Sequence, residues 1–197
     1  MPEKTKKEYI GLDWGIKNFM TTDKGEYINY PVSIVREFQR IKKLQYIKDK
    51  KEKDSNNYKK ALVRLQNAHE RMNHLKRDFI EKKTKELCMN YNICIEDLHL
   101  NDIFNSKHKY ITRKSVVSPY LIFIKKLKWK CDKYGSMFIK VNPKFTTTQC
   151  CVCGNIKEKL DISDRIFSCE CCGNTIDRDI NAAINIRNRG ILYSSNG

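Results

Sequence analysis

FSCECCGNTIDRDINAAINI, residues 167–186, carries the two signals on which the reading of this chain turns. The first is a knuckle, Cys169-x-x-Cys172-Gly173. It sets two thiolates on one side of a tight turn, with the glycine permitting the reversal. The second is a pair of acids, Asp177 and Asp179, at the mouth of a helical segment, DRDINAAINIRNRG (177–190). Gly190 is expected to end that helix, leaving a polar tail over 191–197.

Working upstream, Cys150-x-x-Cys153-Gly154 repeats the knuckle, with 15 residues between the two. Two such turns supply four sulfurs for a tetrahedral ion, and this donor set suits zinc. Sites of this kind are closed, so the metal is expected to hold structure and do no chemistry. The runs CCVC and CECC also allow C-x-C pairs using Cys151 or Cys171. The glycine directly after Cys153 and Cys172 favours Cys150, Cys153, Cys169 and Cys172. The remaining cysteines, Cys88, Cys94 and Cys131, sit in apolar contexts. Nine cysteines, clustered and odd in number, argue against a secreted disulfide framework.

Further out, EYIGLD (8–13) reads as a buried strand closing on Asp13, and NICIEDL (92–98) as a second, closing on Glu96 and Asp97. Asp23-Lys24-Gly25 marks a hairpin turn after the first strand. From residue 33 the period changes. Ile34, Phe38, Ile41, Leu44 and Ile47 make one helical face; Tyr58, Leu62, Leu65, His69, Met72, Leu75 and Phe79 make another. An antiparallel helical hairpin over about 33–90 follows, with His69 in the core or an interface. Residues 99–115 read as a polar basic loop, 120–134 as a helix with lysines outside, and MFIKV (137–141) as a further strand. Asp13, Glu96 and one of Asp177 or Asp179 could together make an oxygen-rich site for hard divalent cations.

The chain has 197 residues and a formal net charge of +16. Residues 31–90 hold 17 basic and 8 acidic groups, and residues 91–142 hold 10 and 4, so the excess lies mid-chain, where a polyanion would be held. Hydrophobic residues make up 40%, enough for a core. No run nears the ~18 apolar residues of a membrane span, and the start has no apolar signal core. No membrane association and a cytoplasmic location, nucleoid-associated if prokaryotic, are the expectations.

GLDWGIKNF (11–19), CIEDLHL (94–100), FTTTQCCVCG (145–154) and FSCECCGNTIDRDINAAINI (167–186) occur in one order. That order resembles the RuvC-like nuclease and zinc-ribbon half of the transposon-encoded TnpB/OrfB proteins, relatives of the compact single-effector CRISPR nucleases. The likeness runs over almost the whole chain. It implies an α/β, RNase-H-like fold: a mixed sheet flanked by helices, with a helical-hairpin insertion and an inserted zinc ribbon. The organisation it implies is a core over 1–142, the ribbon over 143–176 and a final helix over 177–190. It makes Asp13, Glu96 and Asp179 a catalytic triad holding magnesium or manganese. Asp179 is preferred to Asp177 because the family's last acid precedes x-Asn-Ala-Ala, here Ile180-Asn181-Ala182-Ala183. Helical geometry agrees, placing Asp179, Ala182, Ala183 and Ile186 on one face, where small alanines let the helix pack close to the sheet. Asp177 would then cap the helix, and Asp97 would point to the other side of its strand.

The implied activity is transposon-associated, metal-dependent cleavage of DNA, RNA-guided in full-length relatives. Full members carry an N-terminal half that binds the guide. Here Met1 lies just before the first strand, so that half is expected to be absent or supplied as a separate chain. Basic side chains of 36–85 and 107–130 would track a backbone, with Tyr110 and Trp129 as stacking residues. The competing expectation is a non-catalytic nucleic-acid-binding remnant or regulator of an insertion element. A zinc-stabilised protein-interaction module is weaker, because it explains neither the acids nor the charge.

Overall fold

The computed structural model describes residues 7–15, 18–98, 114–158, 160–161 and 164–195. Tyr110 and the basic residues of 107–113 lie outside that set. The chain forms two compact units, Met1–Asn29 with Thr84–Gly197, and Tyr30–Lys83.

In the first unit, strands β1 (Glu8–Asp13), β2 (Met20–Thr22) and β3 (Tyr27–Ile28) follow one another antiparallel. Strands β4 (Tyr91–Glu96) and β5 (Phe138–Val141) join the other edge of β1 in parallel, giving the order β3-β2-β1-β4-β5. β1 and β4 become buried along their length, as parallel strands covered on both faces must. Two helices provide the cover. On one face Leu12, Met20 and Ile95 share a cavity wall with Tyr120 and Ile124 of α3 (Lys114–Tyr134). α3 also buries Phe123 and Leu127.

The other face is set by α4 (Arg178–Ser195) and by what Gly11 lacks. A Cβ on Gly11 would stand 1.9 Å from the Ala183 carbonyl oxygen and 2.8 Å from the Arg187 nitrogen. Ala182, Ala183 and Ile186 are fully buried at this crossing. Gly190 does not stop the helix, contrary to expectation. It is a second crossing point, where a Cβ would come within 2.2 Å of Cys94 Sγ, and the helix continues to Ser195. Glycine here is read by packing against β4 and not by chain reversal.

Between β5 and α4 lie two cysteine knuckles and a small antiparallel sheet of β6 (Ile166–Ser168) and β7 (Thr175–Asp177). Phe167 is its anchor, packed with Cys150, Cys169, Leu160 and Ile176.

The second unit holds α1 (Val32–Asp49) and most of α2 (Asn56–Asn90). Two expectations change here. In this unit the buried apolar positions of α2 are Ala61, Leu65, Ala68, Met72 and Ile80, so His69 is exposed and Ala68 takes the inward place. On α1, Phe38 is exposed and its neighbour Glu37 is buried, where Arg40 at 3.1 Å and Arg71 at 3.4 Å pair with it. A carboxylate can be buried when cations and hydrogen bonds replace its water. Among the described residues, no helix is long and apolar enough to cross a membrane.

Candidate functional site

The register of β1 and β4 pairs Leu12 with Ile95, so Asp13 and Glu96 are the next positions along two adjacent parallel strands. Their side chains leave the sheet on the face that α4 crosses, because side chains alternate along a strand and Gly11 and Cys94 lie two positions earlier. α4 brings Asp179, in its first turn, within electrostatic reach of Asp13. The Asp13 carboxyl is buried and held well above its ordinary pKa. Burial is the main cause; Glu96 and then Asp179 add repulsion, Arg178 opposes it and Asp177 contributes least. Glu96 is also raised by burial, against a hydrogen bond from Thr146 Oγ1 and the positive charge of Arg189. Arg178 lies 3.7 Å from the Asp179 carboxylate.

The neighbouring acids do other work. Asp177 Oδ1 accepts from the backbone N–H groups of Asp179 at 2.9 Å and Ile180 at 3.2 Å, the geometry of an N-cap. Asp97 turns outward to Lys140 at 2.7 Å.

A buried carboxylate beside two others costs stability when ionised. The folded protein holds the Asp13 proton more tightly than the unfolded chain does. Stability contributed by this group is therefore lost as pH rises from about 4 through the raised folded value. Asp13→Asn keeps the shape and removes the charge. We expect it to raise the melting temperature at pH 7 in magnesium-free buffer by a few degrees. An unchanged or lower melting temperature in calorimetry would count against this electrostatic picture.

The second cluster is sulfur. Cys150, Cys153, Cys169 and Cys172 bring their four Sγ atoms within 4.8 Å of one another and are positioned to bind a metal. Cys150 and Cys172 are 3.7 Å apart and Cys153 and Cys169 3.6 Å. A tetrahedron with metal–sulfur bonds of about 2.3 Å has edges of about 3.8 Å, so the spacing fits. Both knuckles are built alike. Gly154 N–H donates to Cys150 O at 2.9 Å and Gly173 N–H to Cys169 O at 3.0 Å, with φ of 78° and 72°. Such φ values strain any residue with a Cβ, which explains the two glycines. Cys151 and Cys171 stay outside the set: the Cys151 N–H is held by Asn181, and Cys171 is exposed.

The chain matches the OrfB_IS605 family model, described as a probable transposase, over residues 1–107, and a Cas12f1-like TNB domain model over residues 120–186. It belongs to the TnpB/OrfB family. A protein named "Putative RNA-guided DNA endonuclease" from Streptomyces pristinaespiralis is 31% identical over 95% of this chain and 46% of its own length. TnpB-like protein L79 of Acanthamoeba polyphaga mimivirus is 31% identical over 94% of this chain and 38% of its own. The chain thus spans less than half the length of these relatives. In fold it is similar to the protein of a CRISPR-Cas12f ternary complex, with a TM-score of 0.70, 21% identity and coverage of 95% of this chain and 40% of that one. A second solved structure, a Cas12f1–sgRNA–target DNA complex, gives a TM-score of 0.66 at 19% identity, covering 91% of this chain and 49% of the other.

Several residues around the acids of this TnpB-family chain were not singled out as site residues in the sequence, although Trp14, Thr146 and Asn181 lie within the motifs quoted above. Tyr120 is buried and lines one small cavity with Glu96, and its hydroxyl is pushed upward first by burial and then by Glu96, Asp97 and Asp13. Its ring lies 4.5 Å from that of Trp14. Asp23, read only as a turn residue, accepts from Gly11 N–H at 2.8 Å and from Arg187 at 2.6 Å, tying β1 to α4. Thr146 and the α4 residues Asn181, Asn185 and Arg189 complete the surroundings. The last three recur every fourth residue, a period that marks a face but not what it meets.

Proposed function

We propose that this chain is the RuvC-like, RNase-H-like nuclease portion of a TnpB-type protein, cutting DNA with divalent metal ions. The observation that carries the reading is the meeting of Asp13, Glu96 and Asp179 from two parallel strands and one helix at one end of a mixed sheet. Oxygen donors in a partly buried acidic site suit Mg²⁺ or Mn²⁺. Ions bound there would supply activation of water and stabilisation of the leaving oxygen in a two-metal phosphodiester hydrolysis. The protein's own part is to hold three carboxylates with their charges converging and to exclude bulk water around Asp13. Thr146 and Arg189 orient and balance Glu96, and Arg178 does the same for Asp179.

The four cysteines form a zinc ribbon in this reading, holding structure only. The partners are DNA and a guide RNA, as the names of the relatives and of the solved complexes suggest. Lys and Arg of the hairpin, with the exposed Lys125, Lys128 and Lys133 of α3, would follow the phosphate backbone; Lys130, expected outside, is buried. On α3, Trp129 is 54% exposed, with Lys126 and Lys133 at 5.4 and 5.3 Å from its ring, which suits stacking against an unpaired base.

The test is cleavage of labelled single-stranded DNA in Mg²⁺ or Mn²⁺ by zinc-loaded protein beside Asp13→Ala. We expect the variant to lose at least about a hundredfold in rate, the scale of removing one electrostatic stabiliser, while its affinity for DNA is kept. Equal cleavage by both proteins would overturn the assignment of the acids. Salt-sensitive binding without cleavage by either would favour the non-catalytic binding reading.

A further inference from the structure

The acid cluster and the cysteine cluster are joined by a continuous polar path. Thr146 lies four residues before Cys150, on the segment that leads from β5 into the first knuckle. It is 2% exposed, and its hydroxyl stands between Glu96 Oε1 and the Pro143 carbonyl, 2.9 Å away. One hydroxyl hydrogen can serve only one acceptor, and an ionised carboxylate is the stronger. The backbone of Thr146 is held from the other side. Asn185, itself buried, donates to Thr146 O at 2.9 Å and to Gln149 O at 2.7 Å. Asn181, fully buried, donates to Gln149 O at 2.8 Å and accepts from Cys151 N–H at 3.0 Å. Arg189 closes the run on Gln149 Oε1 at 2.8 Å, Lys144 O at 2.7 Å and Asn142 O at 2.8 Å. One face of α4 therefore grips the chain on both sides of Cys150 and presents Thr146 to Glu96.

We propose that Thr146 is a positioning residue for Glu96, and that the four-cysteine site acts through it on the acid cluster. This rests on the reading of the acids as a divalent-metal site. When the knuckles are closed on their metal, residues 149–151 keep the places that Asn181 and Asn185 grip. Thr146 then fixes one of the Glu96 oxygens. When the knuckles open, residues 149–151 are held by α4 alone and Glu96 is oriented less firmly, although no metal ligand of the acid cluster has changed.

The experiment is Mn²⁺ titration of the zinc-loaded 197-residue chain, followed by electron paramagnetic resonance, with zinc content measured alongside. Thr146→Val is close in shape and lacks the hydroxyl. It should keep its zinc and bind Mn²⁺ about tenfold more weakly, the scale of losing a group that orients a metal ligand. Thr146→Ser should restore the affinity. Cys172→Ser should lose zinc and weaken Mn²⁺ binding in the parent, and add little in the Thr146→Val background, since both changes break one path. Should valine disturb folding by circular dichroism, Thr146→Ala with retained zinc carries the same test. Parental affinity in Thr146→Val, or failure of serine to rescue, overturns the positioning role. Unchanged Mn²⁺ binding in Cys172→Ser overturns the link to the cysteines. Asp13→Ala separates the levels: if it removes Mn²⁺ binding while Thr146→Val does not weaken it, only the positioning role falls. If the parent binds no Mn²⁺ that Asp13→Ala removes, both readings fall.

Discussion

Gly11→Ala is expected to lower the melting temperature by about 10 °C and, in the proposed nuclease, to slow metal-dependent cleavage about a hundredfold. The added Cβ would lie 1.9 Å from the Ala183 carbonyl oxygen and 2.8 Å from the Arg187 nitrogen. Both are backbone atoms, so no rotamer change relieves the overlap and α4 must move away from β1. Close-packed interiors resist such a shift, and overpacking of this kind costs about 3 kcal/mol. At about 3 °C per kcal/mol for a chain of this size, that gives the stated drop. The catalytic effect has a separate cause. In the proposed active site Asp179 travels with α4, and a displacement of about 1 Å at a reacting centre costs on the order of a hundredfold in rate. The Asp23–Arg187 contact at 2.6 Å would be pulled apart by the same movement. Calorimetry with hydrogen exchange along α4 checks the first effect and the cleavage assay the second. A variant that melts and cuts like the parent would show that α4 does not approach β1 at Gly11.

Cys150→Ser carries the other large effect. Its sulfur is buried beside Phe167 and Cys169 and lies 3.7 Å from that of Cys172. Structural zinc binding is worth on the order of 10 kcal/mol in isolated zinc-binding peptides, so losing one of four thiolates removes more than the small core of Phe167, Leu160 and Ile176 can offset. The variant should lose its bound zinc, measured by mass spectrometry, and unfold the β6–β7 region. Cys171→Ser is the control. Cys171 is exposed and outside the gathered set, so it should retain both metal and stability. Zinc lost from Cys171→Ser and kept in Cys150→Ser would reverse the assignment of ligands.

The two clusters differ in how far they could be read along the chain. A knuckle is a local object: two thiolates two positions apart and a glycine at positive φ are specified within five residues. Asp177 as a helix cap and Asp97 as the outward neighbour of Glu96 are likewise consequences of turn and strand geometry a few residues long. His69 shows the limit of the same reasoning. Periodicity placed it on the apolar stripe of α2. In the folded chain the inward position there is Ala68, one residue earlier. Glu37 and Phe38 make the same point on α1, where paired arginines allow the carboxylate to be the buried neighbour.

By itself, the amino-acid order determined the spacing of the thiolates, the strand ends that carry Asp13 and Glu96, the basic middle of the chain and the family resemblance. Tertiary structure alone decided that Gly11 and Gly190 are crossing points of α4, that Asp23 and Arg187 tie β1 to that helix, and that Thr146 reaches Glu96. The reason is one of range. Turn, cap and strand preferences arise from backbone sterics over a few residues. The partner of a buried polar group is chosen only when helix and sheet have docked and each donor must replace the water it has lost.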